Sequence, residues 1–270
     1  MPDKIFFQCS LPRVGSTMIQ NLMNQDPRFY ATANNGLLNL IAAANENYKN
    51  SPEFKAQNAE IMKLAFSGFC KGAMHGFFNS ITDREYVLDK SRGNFANYKM
   101  IDYYYPNPKI ICFVRNMPDI FASIEKLFRK NQYKSNSIVK HATMQGTSTP
   151  KRVNIWHQSF IPMMEYFTNS VRAEEDRKML FIKYESFCLN PDIEMNKIYN
   201  YLEIETFKHD YTNIEQTIKE DEEVYEYTGM LKIRPKLEMN PSDAKLVLGE
   251  DVYTWIMRTY CGYNEYFEYK

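Results

Sequence analysis

The sequence contains few cysteines, glycines and prolines, and it has no excess of either charge. Five cysteines lie far apart among 270 residues with no CxxC pair, which indicates reduced thiols and argues against a disulfide framework or a zinc site. Glycine (10) and proline (12) are too scarce for a collagen-like chain or a flexible linker. Lys plus Arg and Asp plus Glu both number 33, so the formal net charge is zero. This balance excludes a protein that mainly coats nucleic acid, although a local basic pocket stays open.

Long apolar runs are also missing. No stretch approaches the roughly 18 residues that a membrane-spanning helix needs, and the amino terminus lacks the pattern of a signal peptide. Together with the unpaired cysteines, this predicts a cytoplasmic protein without a membrane span. Apolar residues make up 44% and charged residues 24%, which is typical of a globular chain. No linker separates two composition regimes, so we expect a single domain over residues 1–270.

Short runs rich in β-branched and aromatic residues alternate with segments of helical periodicity. Their nearly continuous apolar character is typical of strands covered on both faces in a parallel sheet. The predicted strands are Lys4–Ser10, Tyr86–Asp89, Lys109–Val114 and Met179–Tyr184. The alternation predicts right-handed βαβ crossovers and a three-layer α/β fold, with a central parallel sheet flanked by helices.

The segment LPRVGST (residues 11–17) joins the first predicted strand to the first predicted helix. Gly15 lets the backbone approach an anion closely, and the helix N-terminus offers unpaired N–H groups with a partial positive charge. Ser16 and Thr17 add hydroxyl donors, and Arg13 adds a planar charged fork that suits oxyanions. Together with Val14, these residues predict a P-loop-like phosphate cradle after strand one.

The cradle departs from the P-loop of nucleoside triphosphatases. That motif needs G-x-x-x-x-G-K-[ST], whereas Ser10 stands at the first glycine position and Ser16 at the lysine position. The third predicted strand is followed by Arg115, where a magnesium-binding carboxylate would be expected. The pattern therefore argues against ATP or GTP hydrolysis.

Arg115 and Ser123 form a second candidate anion site. Arg115 follows a strand at the edge where open α/β sheets bind ligands, and Ser123 lies eight residues further on in a predicted helix. Alone, this pair means little, because a salt bridge is the commoner explanation for such an arginine. Combined with residues 11–17, it predicts a ligand with two separated anionic groups.

These motifs resemble those of the sulfotransferases that use 3′-phosphoadenosine 5′-phosphosulfate (PAPS). LPRVGST is similar to the family's 5′-phosphosulfate loop, and VRNMPDIFASIEKLFRK (residues 114–130) is similar to its 3′-phosphate motif. A third piece, FIKYE (residues 181–185) followed by Asn190-Pro191, is similar to the tyrosine–glutamate strand end of the family. The three pieces occur in family order between Lys4 and about Ile204.

The resemblance implies transfer of the sulfuryl group of PAPS, as co-substrate and without a metal, to an acceptor hydroxyl or amine. It assigns Arg13, Val14, Gly15, Ser16 and Thr17 to the 5′-phosphosulfate. By the same resemblance, Arg115 and Ser123 grip the 3′-phosphate and Tyr184 lies near the adenine. The expected partner is a small-molecule, glycan or peptide acceptor.

The base that removes the acceptor proton does not carry over from the family. Lys90 matches a family lysine near the sulfuryl group, but Arg92 stands where small-molecule members have a histidine. The glutamate of the protein-tyrosine members has no counterpart around residues 32–35. We therefore expect Lys90 to stabilise charge, His75 to be the candidate base, and Asp89 to be its alternative.

Arg234 lies in a late basic cluster, LKIRPK (residues 231–236), and is a candidate second contact to the 3′-phosphate. Two other functions stay open at this point. A P-loop phosphotransferase would bind ATP, and a non-catalytic nucleotide-binding module would have kept the cradle and lost its base.

Overall fold

A five-stranded parallel sheet forms the centre of the computed structural model, which describes residues 4–91, 98–131, 147–222, 229–239 and 242–269. The strands lie in the order β2-β3-β1-β4-β5, and every neighbouring pair is parallel. Their bounds are β1 Lys4–Ser10, β2 Phe29–Asn34, β3 Tyr86–Lys90, β4 Ile110–Val114 and β5 Met179–Lys183. The predicted α/β fold with a central parallel sheet flanked by helices is confirmed.

Helices connect the strands and cover the sheet. The α-helices of the described residues are α1 Ser16–Met23, α2 Leu37–Asn50, α3 Pro52–Lys55, α4 Ala59–Asn79, α5 Tyr98–Tyr104, α6 Met117–Asn131, α7 Thr149–Arg172, α8 Tyr184–Leu189, α9 Pro191–Leu202, α10 Ala244–Leu248, α11 Glu250–Thr259 and α12 Cys261–Tyr266. Pro191 is the first residue of α9, and proline is favoured in the first turn of a helix. No helix among the described residues is long and apolar enough to cross a membrane.

The carboxyl ends of β1, β3 and β4 meet at one edge of the sheet. Gln8 in β1 is paired with Lys90 in β3, and Cys9 in β1 is paired with Cys112 in β4. Because parallel strands end on the same side, residues 11–17, Lys90 and Arg115 come together at this edge. Ligands of open α/β sheets bind in such a crevice.

Strand β2 was not predicted from the sequence. Its residues, FYATAN, include only short apolar stretches, so they lack the signal of a buried strand. Two side chains of the α1 segment hold it instead. Asn24 bonds both the N–H (2.7 Å) and the carbonyl (3.3 Å) of Ala31, and Gln20 Nε2 donates to the carbonyl of Thr32 at 3.2 Å. These bonds, together with the parallel pairing of β2 with β3, hold this short segment in the sheet.

A buried polar cluster ties α9 to the turn between α1 and β2. The Tyr199 hydroxyl donates to Asp26 at 2.9 Å and lies 3.1 Å from Nε2 of His209. Burial lowers the pKa of His209 to about 4. The imidazole is therefore neutral near pH 7.

The segment 131–152 is polar and contains QGTSTP (residues 145–150), which predicts a loop, and most of it, residues 132–146, lies outside the described residues. At its end the prediction is wrong, because Thr149 already begins α7 and Pro150 occupies the first turn. Arg152 is buried and pairs with the fully buried Glu125 of α6 at 2.5 Å, which fixes this end of the helix. The prediction of a loop failed here because polar residues at a helix start resemble a loop in sequence.

Candidate active site

Residues 11–17 form a tight turn whose backbone depends on Gly15. Gly15 has φ +85°, in the left-handed region, and a Cβ atom there would lie 2.8 Å from the ring of Tyr184. Both the backbone conformation and the contact with Tyr184 therefore require glycine. The turn leads directly into α1, which begins at Ser16, so the first N–H groups of the helix face the cavity described below.

Arg115 connects the two candidate anion sites. Its Nη1 donates to the carbonyl of Arg13 at 2.9 Å, and its guanidinium lies 4.5 Å from the ring centre of Tyr184. The buried Nε of Arg115 has no partner among the described residues. A buried guanidinium N–H is costly when unsatisfied, so this atom indicates a place for an anionic acceptor of hydrogen bonds.

Arg13 contacts the second element of the predicted 3′-phosphate pair. Its Nε donates to Oγ of Ser123 at 3.1 Å, and its Nη1 donates to the carbonyl of Met230. Burial, and next the nearby charge of Arg115, lower the pKa of Arg13. Two guanidinium groups held this close repel each other, and an anion bound between them would relieve the repulsion.

A cavity of about 390 Å³ opens over these residues. It lies between the first turn of α1, helix α6 and the segment 229–238, and its size is typical of a small-molecule site. The predicted residues that line it are Arg13, Gly15, Ser16, Thr17, Arg115, Ser123, Tyr184 and Arg234. Burial raises the pKa of Tyr184 to about 12, so its phenol is neutral near pH 7. Among the described residues, no group of three or more His, Cys, Asp or Glu side chains is arranged to hold a metal ion.

Lys90 reaches the same loop from the neighbouring strand. It is 5% exposed, and its Nζ donates to Oγ1 of Thr17 at 3.2 Å. A narrow passage of about 30 Å³ lies here, and it shares Arg13 and Thr17 with the larger cavity. Its remaining walls carry uncharged polar groups such as Gln8 and Asn34. The described lining of this passage contains neither a carboxylate nor an imidazole.

The structure does not bring His75 to this site. His75 lies in α4, and its ring centre is 5.9 Å from that of Tyr105, whose hydroxyl accepts a hydrogen bond from the N–H of Ile5. Ile5 is near the start of β1, about 17 Å along the strand from its last residue, Ser10, at 3.3–3.4 Å per residue, and Arg13 follows that far end. His75 lines neither cavity. The structure therefore gives no support to the prediction that His75 removes the acceptor proton.

Asp89, the alternative base, is fully buried. It accepts a hydrogen bond from Nδ2 of Asn35. The side-chain oxygen Oδ1 of Asn35 in turn accepts a hydrogen bond at 3.0 Å from the N–H of Leu37, the first residue of α2. Successive residues of a strand point to opposite faces, so Asp89 and Lys90 face different sides of the sheet. Asp89 lines neither cavity, and its hydrogen bond to Asn35 indicates a structural role.

Three further lysines line the larger cavity but were not assigned from the sequence: Lys126, Lys130 and Lys232. Lys126 and Lys130 follow Ser123 by three and seven residues in α6, so they lie on the same side of the helix as the serine. That spacing was available in the sequence as a signal. Lys126 is partly neutralised by Asp243 at 2.7 Å.

A scan against protein-family models matches residues 6–209 to one described as the sulfotransferase family. No curated protein matches the sequence. The structure is similar to that of sulfotransferase STF9 from Mycobacterium avium, with a TM-score of 0.58 and 15% identity over 100% of this chain and 78% of that one. It also aligns with the sulfotransferase domain from the curacin biosynthetic pathway (TM-score 0.49, 16% identity, 97% and 98% of the two chains).

A third structure that aligns with this chain is mouse sulfotransferase SULT7A1 in complex with PAP (TM-score 0.43, 14% identity, 77% and 61% of the two chains). The STF9 likeness supports the shared fold, and the family match spans well over half of the 270 residues. The chain belongs to the sulfotransferase family.

Proposed function

We propose that this protein transfers the sulfuryl group of PAPS to an acceptor hydroxyl or amine. The observation that carries the proposal is the basic cavity that joins residues 13–17 to Arg115 and Ser123. Its donors fit a nucleotide with separate 3′ and 5′ anionic groups, and the unpartnered Nε of Arg115 fits an oxyanion acceptor. PAPS, when bound, supplies the activated sulfuryl group.

The residues divide into two sets by position. The N–H groups at the start of α1, with Ser16 and Thr17, would hold the 5′ end, where Arg13 would balance charge on the departing phosphate. Arg115 and Ser123 would hold the 3′-phosphate, with Arg234 at the rim. Tyr184 would pack near the adenine.

Lys90 is the residue that we place at the reacting centre. Its ammonium group contacts Thr17 and lines the passage that adjoins the cradle, on the side away from Ser123. A cation there would stabilise negative charge that grows during transfer, in a site largely shielded from water. The acceptor would approach through this passage, where Gln8 and Asn34 offer hydrogen bonds.

Calorimetric titration with adenosine 3′,5′-bisphosphate (PAP) and with ATP, each with and without magnesium, tests the proposal. We expect metal-independent binding of PAP and no binding of ATP. The reverse preference would instead support a phosphotransferase. Binding of PAP without turnover of PAPS across phenol, sugar and amine acceptors would support a non-catalytic module.

A further inference from the structure

Helix α4 exposes apolar side chains along its outer side. Most of its 21 residues are apolar or small, yet Ile61 is 60% exposed and Leu64 is 74% exposed. The opposite side packs into the core through Phe66, Cys70 and Met74. A helix that is apolar on nearly all sides is usually buried on all sides. The outward side of α4 is therefore suited to a further contact.

Glycines flatten the same side of the helix. Gly68 and Gly72 are exposed and lie four residues apart, and a Cβ atom at either position would meet nothing within 4 Å. Glycine inside a helix is destabilising relative to alanine, so this chain on its own gains nothing from them. A neighbouring helix that approaches closely would account for glycine at both positions.

The charged residues on this side of α4 indicate which neighbouring helix would pack against it. Glu60 and Lys71 are both exposed and are separated by 11 residues, which is about three turns, or 16 Å, so they lie on the same side of α4. The outer face of α4, defined by Glu60, Ile61, Leu64, Gly68, Lys71 and Gly72, is thus acidic at its start and basic near its end. Such a face is complementary in charge to an antiparallel copy of itself.

We propose that the outer face of α4 packs antiparallel against the same face of a second copy of this chain, about a two-fold axis. With the axis between residues 65 and 66, Glu60 of each copy stands opposite Lys71 of the other. Leu64 then lies beside Gly68 of the second copy, offset by about 1.5 Å along the helix. The Leu64–Gly68 contact then occurs twice, once on each side of the axis, and the contact is closed, as a two-fold interface requires.

Sedimentation velocity of the full chain over a wide concentration range tests this inference. The wild type should approach twice the chain mass of 32.0 kDa as concentration rises. Glu60→Lys and Lys71→Glu should each shift the protein to monomer, because each variant sets like charges opposite one another. The double variant Glu60→Lys/Lys71→Glu should dimerise again, because the charge pairs are restored in reverse. Gly68→Leu should abolish association by steric clash.

Lys49→Glu is the matched control, because it makes the same charge change as Lys71→Glu at an exposed lysine of a different helix, α2. It should leave the dimer unchanged, as should Leu246→Ser, which alters another exposed leucine (87%) in α10. A circular dichroism melt of each variant establishes that it is folded. A wild type that stays monomeric, or a dimer that all α4 variants leave intact, would overturn the proposal.

Discussion

Arg115→Ala should weaken the binding of PAP by roughly two to four orders of magnitude. The structure leaves Nε of Arg115 buried without a partner among the described residues, in the wall of the cavity that Ser123 also lines. If Nε and one terminal nitrogen bind the 3′-phosphate, the variant loses two hydrogen bonds to a charged group. Each contributes about 1.5–3 kcal/mol, so the loss is about 3–6 kcal/mol, or about 10²–10⁴-fold in Kd.

Calorimetric titration of wild type and variant with PAP and with adenosine 5′-monophosphate measures this effect. Arg115 also donates to the carbonyl of Arg13, so its removal could disturb the cradle itself. The monophosphate separates the two effects, because it depends on the cradle but has no 3′-phosphate. We expect the variant to lose most of the preference for PAP while its affinity for the monophosphate falls much less.

Equal affinity of the wild type for PAP and for the monophosphate would refute the reasoning, since the 3′-phosphate would then go unrecognised. Lys126→Ala provides a comparison in the same cavity. Lys126 is about half exposed and already paired with Asp243, so its loss should change PAP affinity only slightly. A thermal melt of each variant establishes whether the fold is intact.

Further predictions concern catalysis, the cradle and pH. In a steady-state assay, Lys90→Ala should lower kcat far more than it changes the affinity for PAP. His75→Ala should keep near-wild-type turnover. A strong loss of turnover in His75→Ala would contradict the position of His75 near the start of β1. Gly15→Ala should abolish PAP binding in calorimetry, since its Cβ would lie 2.8 Å from the Tyr184 ring at φ +85°, and retained affinity would exclude the cradle as the binding site. The pKa of His209 is lowered to about 4 in the fold and is 6.5 otherwise, so the unfolded chain takes up the proton first as pH falls. Stability against urea should therefore be full above pH 6.5 and fall by about 3 kcal/mol towards pH 4, and His209→Gln should flatten that slope.

Much of the fold could be predicted because its strands are short, apolar and bounded by clear helix starts. Four of the five strands lie within one residue of the predicted bounds at each end. Strand β5 ends at Lys183 rather than at Tyr184, which instead begins α8. The missing strand, Phe29–Asn34, is held by side chains of the α1 segment, and no local pattern encodes that contact.

The residues of the candidate site that directly follow strands could be predicted from the sequence. Arg13 and Arg115 each follow a strand of a parallel sheet, so the topology alone brings them to one edge. His75 was assigned by residue type and by its position before β3, but a long helix carries it towards the other end of the sheet. Which way a helix faces depends on packing, and the sequence around His75 did not reveal it.

The segment at Met230 and Leu231 forms part of the wall of both the large cavity and the narrow passage. Glu222 holds this segment in place by accepting hydrogen bonds from the N–H groups of Gly229 (2.5 Å) and Leu231 (2.7 Å). Arg13 donates a further hydrogen bond to the backbone carbonyl of Met230. A passage of about 30 Å³ has room for only one or two water molecules. If the proposed function holds, an acceptor group larger than this reaches Lys90 only when the wall at residues 230–231 moves, so the position of this segment would limit the size of the acceptor.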